Sequence, residues 1–288
     1  MNTWLKIIIQ LNLLVLTSSI SIGCAQLSQG DVTATRAPEL LQVNFQEAQT
    51  GWYTATMMQQ DFPMASPWNN GLDAKRAVIE KEKGNKFLRV TYTGKEFGPA
   101  RGGVQFKAPF NKSYNELYFS YRVRFAKDFD FVKGGKLPGL MGGTGPTGCV
   151  SDKNGFSARN MWRVDGDAVQ YLYAPRKISP CGDDYHYTKA SVNQRFIPEK
   201  WQTVEHRLVM NTPGENNGIM QAWLDGELVL DVKDFLFREA ASTFAIDALY
   251  FSTFFGGGDA EWAPQTSQIT DFDDLVVSEK PIGRRNYQ

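Results

Sequence analysis

Two neighbouring stretches of the chain carry side chains suited to binding an anionic substrate and moving protons on it. In the first, the alternation of a β-strand puts Ser157, Arg159 and Arg163 on one face, and in the second it does the same for Tyr171 and Tyr173. Arginine pairs with carboxylates through two parallel hydrogen bonds, while tyrosine offers an apolar ring face and a titratable hydroxyl. If the two strands pair in a suitable register, these side chains line one sheet surface that suits a sugar acid.

The charge distribution also favours an anionic partner. The chain holds 31 Lys+Arg and 31 Asp+Glu, and zero net charge argues against binding nucleic acid through bulk electrostatics. Between Lys133 and Lys177, however, seven basic residues stand against three acidic ones. The competing interpretations are an uneven but solvated surface, and a buried tyrosine pair with surface arginines.

The elements that must position these side chains are β-strands. Aromatic residues make up 13% of the chain, and 26 Gly and 13 Pro supply turns, which favours a β-rich body over a helical bundle. Asp225-Gly226 is a strong hairpin signal. The pattern predicts strands at 87–92, 103–107, 116–125, 156–164, 168–174, 201–210, 219–224, 228–232, 248–255 and 271–278.

About ten strands without alternating helices predict an all-β fold, with two antiparallel sheets packed as a sandwich or jelly roll. We expect one domain over residues 41–288. The glycine-rich loop 141–155 and the glycine run 256–258 are expected to form the walls of a cleft on one sheet.

The N-terminus is typical of an export signal. Lys6 precedes an apolar but interrupted stretch, 7–22, which is short and polar for a membrane span. Residues 1–25 are therefore predicted to be a signal peptide, with 26–40 as a polar tether. The alternative is a lipoprotein signal over 1–23 with a lipid anchor at Cys24, so we expect a secreted or periplasmic chain, either soluble or anchored at the cell envelope.

The other two cysteines, Cys149 and Cys181, lie in the predicted domain and are expected to form a disulfide in an oxidising compartment.

Several other chemistries lack their sequence motifs. HExxH, CxxC, EF-hand and GxSxG patterns are absent and His186 and His206 are the only histidines, so we expect no metal site and no serine hydrolase. The acidic run 271–274 is interpreted as a strand edge or solvated turn, which disfavours a two-carboxylate hydrolase. His206 is interpreted as a buried structural residue. His186 lies in a predicted polar loop, either in the cleft or at the surface.

The stretch KGGKLPGLMGG, from Lys133 to Gly143, resembles polysaccharide lyase family 14, whose members degrade alginate or related polyuronates. FSARNMWR at 156–163 is similar to that family's next strand, and Tyr171-Leu-Tyr173 to its tyrosine pair. The later segments WQTV, WLDG, FSTFFGG and FDDL follow in the same order, so the likeness covers about residues 41 to 278.

The resemblance implies a β-jelly roll with a cleft on one sheet, and β-elimination without a cofactor. It maps the family's essential lysine onto Lys136, its Ser–Arg pair onto Ser157 and Arg159, and its tyrosines onto Tyr171 and Tyr173. Elimination requires that the uronate carboxylate be neutralised, which Arg159 and Lys136 can do, while a base takes the C5 proton and an acid reaches O4. Either tyrosine is a candidate base or acid, and Lys136 is a rival base. We expect the nearby cations to lower the tyrosine pKa values.

The sequence therefore predicts an exported polysaccharide lyase that acts on a polyuronate, with alginate rich in mannuronate as the expected substrate. A glucuronan lyase of the same family, a non-catalytic carbohydrate-binding jelly-roll protein and a glycoside hydrolase are the alternatives. We expect a monomer that binds an anionic polysaccharide, without nucleic acid and without a transmembrane helix. The residues assigned to substrate binding are Lys133, Arg163, Trp162 and His186.

Overall fold

The structure, a computed structural model, describes residues 39–66 and 69–283. The predicted signal peptide, Cys24 and the tether up to residue 38 lie outside the described residues. The strands are β1 (Leu41–Val43), β2 (Gly51–Trp52), β3 (Asn69–Asn70), β4 (Ala77–Glu82), β5 (Asn85–Tyr92), β6 (Gly103–Tyr114), β7 (Glu116–Phe125), β8 (Gly134–Gly143), β9 (Gly155–Arg163), β10 (Ala168–Tyr173), β11 (Asp183–His186), β12 (Thr188–Lys189), β13 (Val192–Asn193), β14 (Gln202–Val209), β15 (Gly218–Leu224), β16 (Glu227–Phe235), β17 (Ile246–Phe255) and β18 (Gln268–Ser278).

The helices in the described ranges are short. α1 spans Ala55–Asp61, with Thr54 as its N-cap, and α2 spans Gly98–Gly102. Two single 3-10 turns occupy Val164–Gly166 and Ala260–Trp262.

Two antiparallel sheets pack face to face as the predicted β-jelly roll. Within the described ranges, the back sheet has nine strands in the order β16-β15-β14-β7-β18-β5-β4-β2, with β1 added beside β18. The cleft sheet has seven strands in the order β11-β10-β9-β8-β17-β6-β3. The apolar faces of both sheets form one continuous core.

The strand predicted at 116–125 and the predicted hairpin are both confirmed. The inward residues of β7 are at most 1% exposed; they are Leu117, Phe119, Tyr121, Val123 and Phe125. Asp225 and Gly226 connect β15 to β16 with φ values of 53° and 77°. Two successive positive φ values are those of a type I′ turn, whose twist matches that of the flanking strands.

Strand β8 was not among the predicted strands, and its last three residues fall in the predicted loop 141–155. Its glycines and Pro138 favour a loop when the sequence is considered alone. In the structure β8 lies between β9 and β17, where a β-carbon on Gly135 would meet the Trp162 ring at 2.0 Å. Pro138 sits at a β-bulge, and its carbonyl accepts a hydrogen bond from Asn160 Nδ2 at 2.9 Å. Close packing therefore requires small residues such as Gly135 in β8. Their low strand propensity is the reason why the sequence pattern does not predict this strand.

Two other expectations are corrected by the sheet order. The acidic run 271–274 was expected at an edge or solvated turn, but it lies in β18, an interior strand of the back sheet. Asp271 is 4% exposed and pairs with Arg89 Nε at 2.7 Å and Arg124 Nη2 at 2.8 Å. The polar loop expected around His186 is instead edge strand β11, paired with β10.

Candidate active site

The register between β9 and β10 brings the two predicted stretches together. Arg159 lies opposite Tyr171, and Ser157 lies opposite Tyr173. On the other side of β9, Lys136 of β8 lies opposite Met161. Because directly opposed residues share a sheet face, the arginine, the lysine and both tyrosines converge on one surface. They line a cleft of about 1100 Å³.

Lys136 is a buried cation on the floor of this cleft. Its side chain crosses the ring of Tyr171, with Nζ 4.1 Å from the ring centroid and 3.1 Å from Met161 Sδ. Burial lowers the pKa of Lys136 well below its usual value, and the charges of Arg159 and Arg163 lower it further. The amine is thus brought toward the neutral state, in which it can accept a proton.

Arg159 lines the cleft, as the strand alternation predicts, but it is only 2% exposed. Its Nη1 donates to Ser252 Oγ at 3.3 Å, and its Nε has no hydrogen-bond partner among the described residues. The guanidinium carbon lies 6.0 Å from the ring centroid of Tyr173 and 5.1 Å from that of Tyr250. A buried guanidinium with free donor capacity is suited to a carboxylate that enters the cleft.

The two tyrosines meet edge to face, with centroids 5.5 Å apart. Burial raises the pKa of Tyr171, and the hydrogen bond and charge of Tyr173 raise it further, against smaller opposing effects of the Gly182 amide and Arg163. The expectation that neighbouring cations would lower this pKa is therefore wrong in direction, because desolvation outweighs them. Tyr171 keeps its proton at neutral pH and can donate it.

Arg163 and Asp184 close the cleft on the β11 side. Arg163 Nη2 lies 2.6 Å from Asp184 Oδ1, and the guanidinium faces the rings of Tyr171 at 5.4 Å and Trp262 at 5.7 Å. Both charged residues line the cleft. Arg163, which was assigned to substrate binding, therefore lines the cleft but is already paired with an internal carboxylate.

Ser157, expected to be catalytic, does not reach the cleft. Its side chain is fully buried, and Oγ donates to the carbonyl of Pro146 at 2.7 Å. This contact ties β9 to the loop 144–154, which forms part of the cleft wall. The structure gives Ser157 a role in positioning that loop.

Three residues assigned to substrate binding lie elsewhere. Trp162 is fully buried because strand alternation turns it to the core, where its indole N–H donates to Phe131 O at 3.2 Å. Lys133 pairs with Glu261 outside the cleft lining. His186 also lies outside the lining, with Nδ1 2.7 Å from Asp167 Oδ2.

The structure adds cleft residues that were not predicted. Tyr250 and Gln105, on β17 and β6, line the cleft, and the Tyr250 hydroxyl donates to Gln105 Oε1 at 2.9 Å. Trp262 forms part of the opposite wall together with the glycine run 256–258, as predicted for that run. The alternation of β17 already placed Tyr250 and Ser252 on one face, but only the sheet order identifies that face as the cleft.

The remaining sequence predictions concern cysteine and histidine. Cys149 and Cys181 form the predicted disulfide. His206 is fully buried, as predicted, and its Nδ1 lies 3.0 Å from Gln170 Oε1. Within residues 39–66 and 69–283 there is no group of three His, Cys, Asp or Glu side chains placed to hold a metal ion. No helix in these ranges has the length and apolarity needed to cross a membrane.

Solved structures similar to this one include alginate lyases. Alginate lyase Aly36B superposes with a TM-score of 0.72 at 26% identity, covering 85% of this chain and 98% of that one. A double variant of Aly36B in complex with alginate tetrasaccharide gives a TM-score of 0.71 at 26% identity, with the same coverage of 85% and 98%. The PL-14 alginate lyase from Aplysia kurodai gives 0.70 at 22% identity, covering 84% and 99%, and supports the fold. Among curated protein sequences, none matches this chain closely enough to extend the comparison.

The sequence profile of the family described as Polysaccharide lyase 14 matches residues 80–275, a range that includes every cleft strand except β3. Taken with the fold and the cleft, this match shows that the chain belongs to the polysaccharide lyase 14 family.

Proposed function

We propose that this lyase cleaves alginate, with poly-mannuronate as its preferred substrate, by β-elimination in the cleft of the seven-stranded sheet. The observation that carries the proposal is the contact between Lys136 and Tyr171, whose pKa values are displaced in opposite directions. A lysine poised to accept a proton and a tyrosine that retains one form an acid–base pair at neutral pH. The Aly36B complex with alginate tetrasaccharide supports alginate as the substrate class.

The chemistry divides between three side chains. Arg159 binds the uronate carboxylate, so that negative charge building up on it as C5 loses its proton is stabilised by charge-assisted hydrogen bonds. Lys136 accepts the C5 proton as its neutral amine. The electron pair of the C5–H bond forms the C4=C5 double bond as the C4–O4 bond breaks.

Tyr171 completes the elimination by donating its proton to O4 as that oxygen leaves. The products are an unsaturated uronate at the new non-reducing end and a shortened chain. The reaction needs no covalent intermediate, which agrees with the placement of Ser157 away from the cleft.

The test follows the ultraviolet absorbance of the new double bond with poly-mannuronate, poly-guluronate and glucuronan in separate reactions. A rise with poly-mannuronate is expected. A rise in absorbance with glucuronan alone would identify a glucuronan lyase. Binding of a polymer without any rise would identify a carbohydrate-binding protein, and new reducing ends without a rise would identify a hydrolase.

The assigned roles are tested by Lys136→Met and Tyr171→Phe, each expected to lower kcat about 10²–10⁴-fold, the usual contribution of a general base or acid. Lys112→Met and Tyr114→Phe are the matched controls, since Lys112 also lies over a tyrosine ring, that of Tyr114, at 4.8 Å but outside the cleft lining. Wild-type rates in the cleft variants would overturn the assignment.

We also propose that the chain is exported. The Cys149–Cys181 disulfide supports this, because disulfides persist in oxidising compartments. Mass spectrometry of the protein from intact cells and from the medium tests it. A mature N-terminus at Gln26 indicates a soluble secreted form, and a lipid on Cys24 an anchored one.

A further inference from the structure

One transverse row of residues crosses the cleft sheet. The register pairs Lys107 with Tyr250, Tyr250 with Gly139, Gly139 with Arg159, Arg159 with Tyr171, and Tyr171 with Asp184. Gly139 adds no side chain to this row, and the Arg159 guanidinium faces the Tyr250 ring across the gap at 5.1 Å. The row therefore continues past the candidate catalytic residues to Lys107 on β6.

The cleft follows this row across the strands. Its lining runs from Asp184 and Tyr185 on β11 to Tyr250 on β17 and Gln105 on β6. Neighbouring strands are about 4.8 Å apart, close to the length of one sugar unit. A polyuronate lying in the cleft therefore advances by about one strand per sugar.

Lys107 stands at the end of the row, just beyond the lining. Its side chain is half-buried, with Nζ 5.3 Å from the centroid of the Tyr250 ring. Within residues 39–66 and 69–283 its ammonium makes no ion pair or hydrogen bond. A half-buried ammonium without a direct hydrogen-bonding partner is free to bind an anionic ligand that reaches it.

The surroundings of Lys107 also affect its charge. Burial lowers the pKa of Lys107, and the charge of Arg159 lowers it further, against the opposing charge of Asp247. The Asp247 carboxylate itself accepts a hydrogen bond from the Gly143 amide at 2.8 Å. On the loop side, a β-carbon on Gly145 would lie 3.6 Å from Lys107 Nζ and 2.1 Å from the Met141 methyl group, so the loop packs closely beside the ammonium.

We propose that Lys107 forms a second carboxylate-binding subsite, which holds a uronate about two sugars away from the one that reacts. The inference rests on the proposed function, because it assumes a polyuronate in the cleft. The Lys107 ammonium and the Arg159 guanidinium lie 5.3 and 5.1 Å from the centroid of the same Tyr250 ring, so the two charges are at most about 10 Å apart. A substrate must therefore extend beyond the reacting sugar to reach Lys107, and shorter oligosaccharides make no contact with it.

The test compares Lys107→Met with wild type on polymeric alginate and on the shortest oligosaccharide that is cleaved. Met keeps most of the apolar contact with Tyr250 and removes the charge. We expect KM for the polymer to rise about five- to tenfold, as for a partly buried ionic contact, with kcat and the kcat/KM of the short substrate unchanged. Lys107→Arg should restore the polymer KM.

Lys112→Met is the matched control, since Lys112 lies on the same strand over the Tyr114 ring but outside the cleft. An equal loss on long and short substrates in Lys107→Met, or an unchanged polymer KM, would overturn the proposal. Thermal unfolding of each variant identifies a loss that comes from the fold.

Failure of the proposed function is distinguishable. If wild-type protein forms no unsaturated product from any polyuronate, the lyase proposal for alginate fails by itself. The same variants are then compared for alginate binding by calorimetry. Weaker binding by Lys107→Met alone supports the subsite, and equal affinity refutes it.

Discussion

The backbone amide of Cys149 donates a hydrogen bond to the phenol oxygen of Tyr173, with nitrogen and oxygen 3.1 Å apart. The amide of Gly182 does the same for Tyr171 at 3.0 Å. Cys149 is bonded to Cys181, the residue before Gly182, so one disulfide fastens both donors. Because an N–H aimed at a phenol oxygen orients the ring, the disulfide influences the geometry of both tyrosines, and through the Gly182 amide it also opposes the upward shift of the Tyr171 pKa.

Replacing both cysteines, Cys149→Ser with Cys181→Ser, should therefore affect catalysis as well as stability. We expect kcat to fall about tenfold, by loss of roughly one hydrogen bond's free energy at each phenol. The free energy of unfolding should drop by about 4 kcal/mol, since the disulfide joins residues 32 apart. Kinetics measured well below the unfolding temperature separate the loss of kcat from the loss of stability. Wild-type protein that is reduced and regains its rate on reoxidation is the control. An unchanged kcat in folded variant protein would contradict the link.

The pH dependence of kcat/KM should shift in opposite directions when the charges beside Lys136 are changed. Arg163 lowers the pKa of Lys136 and Asp184 raises it. Since Lys136 acts as a base only when deprotonated, Arg163→Gln should move the acidic limb of the profile to higher pH and Asp184→Asn should move it to lower pH. Full pH–rate profiles provide the measurement. Shifts of the same sign would show that Lys136 does not set the acidic limb.

Two fully buried serines on the cleft sheet should respond differently to removal of the hydroxyl. Ser157 Oγ donates to the loop carbonyl of Pro146, whereas Ser252 Oγ accepts the hydrogen bond from Arg159 Nη1. We expect Ser252→Ala to lower kcat about fivefold or more, the equivalent of one hydrogen bond. Ser157→Ala should mainly raise KM by loosening the cleft wall. A loss of kcat in Ser157→Ala larger than that in Ser252→Ala would restore a catalytic role for Ser157.

Stability should fall in acid because of His206. Burial lowers the pKa of folded His206 from 6.5 to about 3, so between these values the unfolded chain binds a proton that the folded one does not. The stabilisation is complete above pH 6.5 and is lost as pH falls toward 3, by up to about 1.4 kcal/mol per pH unit. Denaturant unfolding at several pH values gives the slope of the free energy of unfolding against pH. For His206→Leu this slope should correspond to about one proton fewer than for wild type. Parallel slopes would mean that His206 titrates normally in the folded state.

Much of this site follows from strand alternation. The alternation of β9 and β10 placed Arg159 and Tyr171 on one face, and the structure confirms the register that makes them neighbours. The same alternation turns Trp162 to the core, which is why its expected substrate contact fails. A period of two residues thus decides which side chains share a surface.

The sequence pattern could not supply burial or sheet order. The direction of the Tyr171 pKa shift depends on how far desolvation outweighs nearby cations, and burial is a property of the packed sheet. Tyr250 reaches the cleft because β17 lies next to β8, although about a hundred residues separate them in the chain. Strand β8 remained hidden because several of its glycines are required by tertiary contacts, as where a β-carbon on Gly135 would meet the Trp162 ring or one on Gly139 the Ala158 carbonyl.

The order of strands in the cleft sheet also affects how the chain folds. Lys136, Arg159 and Tyr171 lie on the consecutive strands β8, β9 and β10, whereas β6 and β17 join residues as distant as Gln105 and Tyr250, which are 145 apart. Closing so long a loop costs more conformational entropy and slows pairing. During refolding, we expect amide protons of β8–β10 to gain protection from exchange before those of β6 and β17. The residues that perform the elimination would then assemble first, and the end of the cleft that holds a long polymer last.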